Sequence, residues 1–264
     1  LNGLYGPLGW LSWSELAAEW EAANALAKTG NIEKLKSFVN IRLAQVFSTP
    51  GEALDAHVLA DRVEPDWGEK IPAGVRVITG ATDVQDNRLE SIVIGWGLGW
   101  EMWVLDYAVI LTDPRDQSGW QSNDELIRRK YTTQDNREIR ATAWCVDSGF
   151  LPQKVLEYCQ ARRRWGVWAI KGMNQRGAIW DKKIRRGGRT KGQGTFFAVR
   201  TVSAKDDLTA YLRVTQAGPK YVHIPDRIIE AHPDFLDQLT SERRVRTRDR
   251  KGREVVEWKK VTEG

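Results

Sequence analysis

Cysteine and histidine are scarce: the chain has Cys145 and Cys159, and His57, His223 and His232. A structural zinc site draws about four Cys or His ligands from closely spaced pairs. No CxxC pair occurs and the histidines lie far apart, so the composition argues against zinc. The two thiols suit a reducing cytoplasm and read as small buried apolar groups. No apolar run approaches the roughly 20 residues of a membrane helix, which argues against a membrane span. The opening Leu1-Asn2-Gly3-Leu4 lacks an initiator Met and the layout of a secretory signal, and reads as an internal start in a longer protein. A GxxxxGK(S/T) phosphate loop is missing. The nearest stretch, Gly187-Gly188-Arg189-Thr190-Lys191-Gly192, has neither the spacing nor the flanking strand and helix, so ATP-motor chemistry is excluded. No Ser-His-Asp or Cys-His arrangement supports acyl transfer. Base-reading modules are also absent, so any choice of nucleic-acid sequence falls to a partner.

What is present is positive charge. The net charge is +5 with a pI near 9.2, which suits a polyanionic partner without proving one. Three clusters carry it: Arg162-Arg163-Arg164; the stretch holding Lys182, Lys183, Arg185, Arg186, Arg189 and Lys191; and Arg243-Arg244-Val245-Arg246 through Arg253. The second is rich in glycine, which lets backbone approach phosphate while the basic side chains displace counterions. Such runs are also ordinary solvated surface, and the pattern leaves both readings open. The 13 tryptophans fall mostly in expected strands and helices and are assigned to cores and interfaces, with Trp100 and Trp103 as exceptions placed to stack on bases.

Residues 1–70 read as a helical lead-in. Ser12 or Ser14 caps a helix carrying Leu16, Trp20, Ala23 and Leu26-Ala27, Gly30 stops it, and Asn31 opens a second helix with Leu35, Phe38 and Val39. A polar connection follows to residue 70. From residue 71 onward the pattern is that of one α/β domain. Residues 75–84, 89–96 and 102–109 are β-rich runs with very short links, which forces antiparallel hairpins. A helix capped by Ser122, with Glu125 completing a capping box, comes next. Then follow a strand at 141–146, a helix at 152–163, strands at 166–170 and 195–199, a helix at 206–214, a strand at 221–224 and a helix at 233–239. Arg243 onward reads as a hairpin turning at residues 249–252. Three antiparallel strands and then alternating helices and strands describe a mixed sheet with flanking helices, an order the ribonuclease H-like fold shares with other mixed α/β folds.

Asp83 ends the first strand and Asp147 the fourth. In this order the two strand ends come side by side, where paired carboxylates repel unless a hard divalent cation sits between them. Two such ions activate water and stabilise the leaving oxygen in phosphodiester hydrolysis. An Asp at a strand end also simply starts a turn, and the pattern alone leaves that open.

The stretch Thr79-Gly80-Ala81-Thr82-Asp83-Val84-Gln85-Asp86-Asn87-Arg88-Leu89-Glu90, then Gly95-Trp96-Gly97 and Glu101-Met102-Trp103-Val104-Leu105-Asp106-Tyr107, closely resembles the nuclease domain of lambda-like (GpA family) terminase large subunits. So do Val146-Asp147-Ser148-Gly149 and Ile170-Lys171-Gly172. Upstream, Leu4-Tyr5-Gly6-Pro7, Trp13 and Phe38-Val39-Asn40 are similar to that family's linker, and Phe235 through Glu242 and Trp258-Lys259-Lys260 continue the match. The resemblance implies a ribonuclease H-like, Mg²⁺- or Mn²⁺-dependent endonuclease, with two ions, that cuts concatemeric double-stranded viral DNA in the host cytoplasm. Its partners would be the terminase small subunit, the portal and an ATPase domain of the same polypeptide. Carried over by position, Asp83 and Asp147 become metal ligands and catalytic residues, and Lys171 a lysine that holds phosphate or stabilises developing charge. Lys171 is equally read as a solvated strand-end lysine. The family's third acid lies in an Asn-Glu-Ala-Leu-Asp type motif on a C-terminal helix, expected beyond Gly264. Asp234, Asp237 and Glu242 read as helix-capping groups instead. Asp86 is expected to shape a turn and Asp106 to be a paired group within its strand. The competing readings are another ribonuclease H-like phosphotransferase, such as a resolvase or transposase, and a non-catalytic domain that grips DNA or docks the portal.

Overall fold

Alternating burial along three successive runs builds the centre of the fold. β1 (Val77–Val84), β2 (Arg88–Trp96) and β3 (Met102–Leu111) form an antiparallel meander, as the short links require. A computed structural model describes residues 12–28, 33–43, 54–174, 177–180, 185–186, 195–248 and 254–260. The chain divides into two units, Leu1–Ala53 with Arg243–Val245 and Leu54–Glu242 with Arg246–Gly264.

In the first unit, α1 (Trp13–Lys28) starts at a capping box: Ser12 Oγ accepts from the Glu15 amide at 3.2 Å, and Glu15 accepts from the Ser12 amide at 2.8 Å. α2 (Glu33–Ser37) runs on into a single π-helical turn, Phe38–Arg42. Leu16, Ala23, Leu35 and Phe38 are buried, and the Trp20 ring lies 5.5 Å from Phe38. Gly30 and Asn31, the expected stop and start, lie outside the described residues.

In the second unit, β1 also pairs in parallel with β5 (Glu138–Asp147), β5 with β6 (Val167–Met173), and β6 with β8 (Thr195–Arg200). The edge strands are β7 (Arg185–Arg186), antiparallel to β8, and β9 (Val222–His223), parallel to β3. The order is β7-β8-β6-β5-β1-β2-β3-β9, with β4 (Lys130–Thr132) pairing the start of β5. This is a mixed α/β sheet of ribonuclease H-like type, as the sequence led us to expect. β10 (Glu242–Arg248) and β11 (Glu254–Lys260) pair as the expected hairpin, whose turn lies outside the described residues.

The helices follow from which sheet face is apolar. α4 (Ser118–Arg128) and α5 (Pro152–Ala161) cover one face, burying Trp120, Leu126, Val155 and Leu156 against Ile78, Val93, Trp144, Val146 and Val167. α4 starts earlier than the capping box at Ser122 predicts. Trp120, one per cent exposed, donates its indole N–H to the Pro114 carbonyl at 2.8 Å, and this burial winds the chain before Ser122. A second core joins α3 (Ala56–Ala60), α7 (Asp226–Ala231) and α8 (Phe235–Thr240) to Met102 and Val104 of β3, together with Leu212 from α6 (Thr201–Leu212). β4, α3 and α7 are too short to show in sequence periodicity. Here His223 is held at Nδ1 by Glu64 at 2.8 Å and at Nε2 by Glu101 at 2.9 Å, and stacks on Trp103. That clamp fixes the segment before β1 to the β3–β9 edge, and it places Trp103 in the core, away from any base-stacking role.

Candidate active site

The parallel β1–β5 register ends with Thr82 opposite Val146, so the next residue on each strand is Asp83 and Asp147. Side chains alternate across a strand. Thr82 and Val146 are buried in the helix-covered core, which turns Asp83 and Asp147 to the opposite face. Asp83 is exposed and accepts from Gln85 Nε2 at 2.9 Å. Asp147 is half-buried. Burial and then the neighbouring Asp83 charge push its carboxyl above the usual carboxylate range, while the Gly149 and Ser148 amides and the Lys171 ammonium oppose the shift. Asp147 Oδ1 is buried with no hydrogen-bond partner among the described residues. A buried anionic oxygen without a donor is costly, and a cation shared with Asp83 would offset that cost. These two donors therefore fit a hard divalent metal. Among the described residues no group of three or more His, Cys, Asp or Glu side chains is gathered for a metal.

Lys171 follows Ile170, the register partner of Asp147 on β6, and is exposed. Of the basic residues singled out in the sequence, Arg185 and Arg186 form the edge strand β7, separated from β6 by β8. Lys182, Lys183, Arg189 and Lys191 lie outside the described residues. Arg162 and Arg163 are set apart from the carboxylates. They precede β6, at the opposite end of the parallel strands; three residues of strand, about 10 Å, separate Val167 from Ile170. Arg162 is also engaged, since Asp124 takes both its Nε and its Nη2, the latter at 2.6 Å, and Tyr158 lies under its guanidinium. Arg163 is exposed over the Trp168 ring.

Several other acids singled out in the sequence are occupied. Glu90, opposite Asp83 across β1–β2, binds Arg88 and accepts from Tyr107 Oη at 3.2 Å. Asp106 pairs with Arg129 inside β3, as its place within the strand led us to expect. Asp234 accepts from Gln238 at 2.6 Å, and Glu242 pairs with Lys205.

Sequence reasoning missed Arg115. Its guanidinium bridges Asp113 and Asp86, each at 3.1 Å, and lies 5.5 Å over the Phe150 ring. Asp86 and Phe150 follow Asp83 and Asp147 by three residues each, so Arg115 ties together the loops that leave both carboxylates. A lone arginine in a polar loop gives no sequence signal for this.

On the carboxylate face, a groove of about 980 Å³ runs over Ala81, Ile94, Cys145, Trp168 and Phe197, with exposed Trp100 at its lip. Among the described residues, Arg76 is the one charged side chain lining it. Cys145 lies here and burial pushes its thiol up to about 11, while Cys159 sits in the helix-covered core; both are free.

The family described as terminase large subunit gpA, endonuclease domain, matches residues 1–264. The terminase large subunit of Escherichia phage lambda is 29% identical over 245 residues, covering 89% of this chain and 36% of the relative. That of Enterobacteria phage P21 is 27% identical over 259 residues, covering 94% of this chain and 37% of the relative. The chain thus spans little more than a third of the length of these curated relatives. By the match along its whole length, the chain belongs to the family of terminase large subunit endonuclease domains.

Proposed function

We propose that this domain is a metal-dependent endodeoxyribonuclease that cuts concatemeric duplex DNA during viral genome packaging in the host bacterial cytoplasm. The observation that carries the reading is that Asp83 and Asp147 each follow the last matched pair of β1 and β5, and that the buried Asp147 Oδ1 has no hydrogen-bond partner among the described residues. Asp83 and Asp147 would hold Mg²⁺ or Mn²⁺. A pair of such ions, when bound, supplies an activated water and charge stabilisation at the leaving oxygen. Exposed Asp83 would leave the cation open to substrate, and half-buried Asp147 would anchor it. Lys171, close enough to bias the Asp147 charge, would meet a phosphate from the end of β6. Arg185 and Arg186 on the edge strand, with Lys182, Lys183, Arg189 and Lys191, would track the DNA backbone, and Arg163 would touch it at the far end of the strands. The small subunit, the portal and an ATPase domain of the same polypeptide are the partners this role requires.

Nicking of supercoiled plasmid in Mn²⁺ tests the reading. Asp83→Ala should abolish cutting and leave the fold intact, because Asp83 is exposed. Cutting at the wild-type rate in that variant would sink the assignment. A second reading, a domain that grips DNA or docks the portal without catalysis, is favoured by the two-carboxylate site. DNA binding with no Mn²⁺ binding by calorimetry would select it.

A further inference from the structure

Directly beneath the carboxylates, the apolar core contains a closed set of polar side chains. Thr82, Ser91 and Asn123 are two per cent, one per cent and zero per cent exposed. The Thr82 hydroxyl donates to Asn123 Oδ1 at 3.0 Å and accepts the Trp144 indole N–H at 2.8 Å. The Ser91 hydroxyl lies 2.9 Å from Thr82 Oγ1 and 2.8 Å from Asn123 Oδ1, so its single proton serves one or the other. Asn123 Nδ2 donates to Tyr158 Oη at 3.1 Å, and Tyr158 donates to Asp124 at 2.6 Å. One hydroxyl thus ties β1, β2, β5 and α4 together. It belongs to the residue immediately before Asp83, and its indole partner lies three residues before Asp147.

An apolar core of the same shape would fill this space, but it is less directional than a hydrogen bond. Asp83 and Asp147 follow the last matched pair of adjacent parallel strands, and their like charges repel. A shift of about 1 Å in a reacting group can cost on the order of 10²-fold in rate. We infer that Thr82, with Asn123 and Tyr158 behind it, is a positioning residue that locks the β1–β5 strand ends so that Asp83 and Asp147 hold a divalent cation together.

This inference rests on the nuclease reading, and the test separates the two. Thr82→Val removes the hydroxyl and keeps the shape, whereas Thr82→Ser keeps the hydroxyl and removes a methyl. Mn²⁺ affinity is measured by calorimetry on the 264-residue chain, with plasmid nicking and far-UV circular dichroism in parallel. Thr82→Val should weaken Mn²⁺ binding and lower kcat by about 10–100-fold, the usual effect of losing a group that orients a ligand, with the KM for DNA unchanged. Thr82→Ser should stay close to wild type. Tyr158→Phe, which removes the hydroxyl anchoring Asn123, should weaken Mn²⁺ binding in the same sense by a smaller factor, and it carries the test if Thr82→Val does not fold. Wild-type Mn²⁺ affinity in Thr82→Val or, should that variant not fold, in Tyr158→Phe overturns the inference and leaves the nuclease reading standing. A larger loss in Thr82→Ser than in Thr82→Val also overturns it, by making packing the cause. No Mn²⁺ binding by the wild-type chain removes both.

Discussion

Asp147 lies next to Asp83, one residue past the last matched pair of two parallel strands, and one of its oxygens finds no donor among the described residues. Burial first, and the Asp83 charge second, raise its carboxyl above the ordinary value of 3.8. The folded chain therefore holds that proton more tightly than the unfolded chain. Without metal, this group's contribution is fully present below 3.8 and is lost as pH rises through its raised folded value. Asp147→Asn should then raise the Tm in EDTA at neutral pH, by about 2–4 °C for each kcal/mol relieved, with no gain at acid pH. Mn²⁺ should stabilise wild type and leave the variant unmoved. A lower Tm for Asp147→Asn in EDTA would mean that the protein itself already satisfies the charge.

Arg162 and Arg163 are adjacent in sequence and opposite in fate. Arg162 is a half-buried partner of Asp124, with 16% of its side chain exposed against 18% for Asp124, and it closes the polar chain that runs through Tyr158 to Asn123. Removing one member of such a pair strands the other, so Arg162→Ala should cost about 2–4 kcal/mol in urea unfolding. Arg163→Ala should leave stability within about 0.5 kcal/mol. If Arg163 meets phosphate, the same change lowers the salt slope of DNA binding by about one. Equal destabilisation by both changes would contradict the geometry.

Gly80 lies in the middle of β1, where glycine weakens a strand unless something needs the space. That something is Trp144. A Cβ on Gly80 would sit 2.2 Å from two carbons of the Trp144 ring, which is fully buried and bonded to Thr82. The ring cannot swing away without breaking its N–H hydrogen bond to Thr82 Oγ1 and leaving a buried donor unsatisfied. Gly80→Ala is expected to cost about 3 kcal/mol or more, the upper end of overpacking, read by chemical denaturation. The double variant Gly80→Ala/Trp144→Phe should recover part of that loss.

The meander and the two aspartates were legible because their signals are local. Alternation over residues 75–109 sets a period of two, the short links force antiparallel pairing, and an Asp closing an apolar run marks a strand end. Other features depend on contacts distant in sequence. Ser122 looks like a helix-capping residue because its side chain competes for backbone. In the fold Asn123 spends its amide on Thr82, Ser91 and Tyr158, and the helix starts at Ser118, ahead of buried Trp120. Arg162 and Arg163 read as one basic run because charge is visible in sequence and Asp124 is 38 residues away. Nor does sequence show which apolar face of β5 or β6 meets helices, because strands inside a parallel sheet are apolar on both sides. Trp144 and Trp168 are alike as residues, yet one fills the core and the other lines the open groove.

Lys171 has the sharpest consequence for pH. Its ammonium is among the groups that hold the Asp147 carboxyl down, against burial and the Asp83 charge. A cation binds the ionised carboxylate, so protons compete with metal on the acid side. Lys171→Met removes the opposing charge and lets the carboxyl rise further. The acid limb of Mn²⁺ binding should therefore move to higher pH, in calorimetry that needs no DNA. If Lys171 also faces the phosphate as charge develops, kcat should fall by about 10²-fold with the KM for DNA little changed, as when a single stabilising donor is lost. Lys171→Arg keeps the charge and should restore the acid limb even where its broader head fails to restore kcat. An unmoved acid limb in Lys171→Met would reduce this lysine to a solvated strand end and leave Asp83 and Asp147 as the site's only tested chemistry.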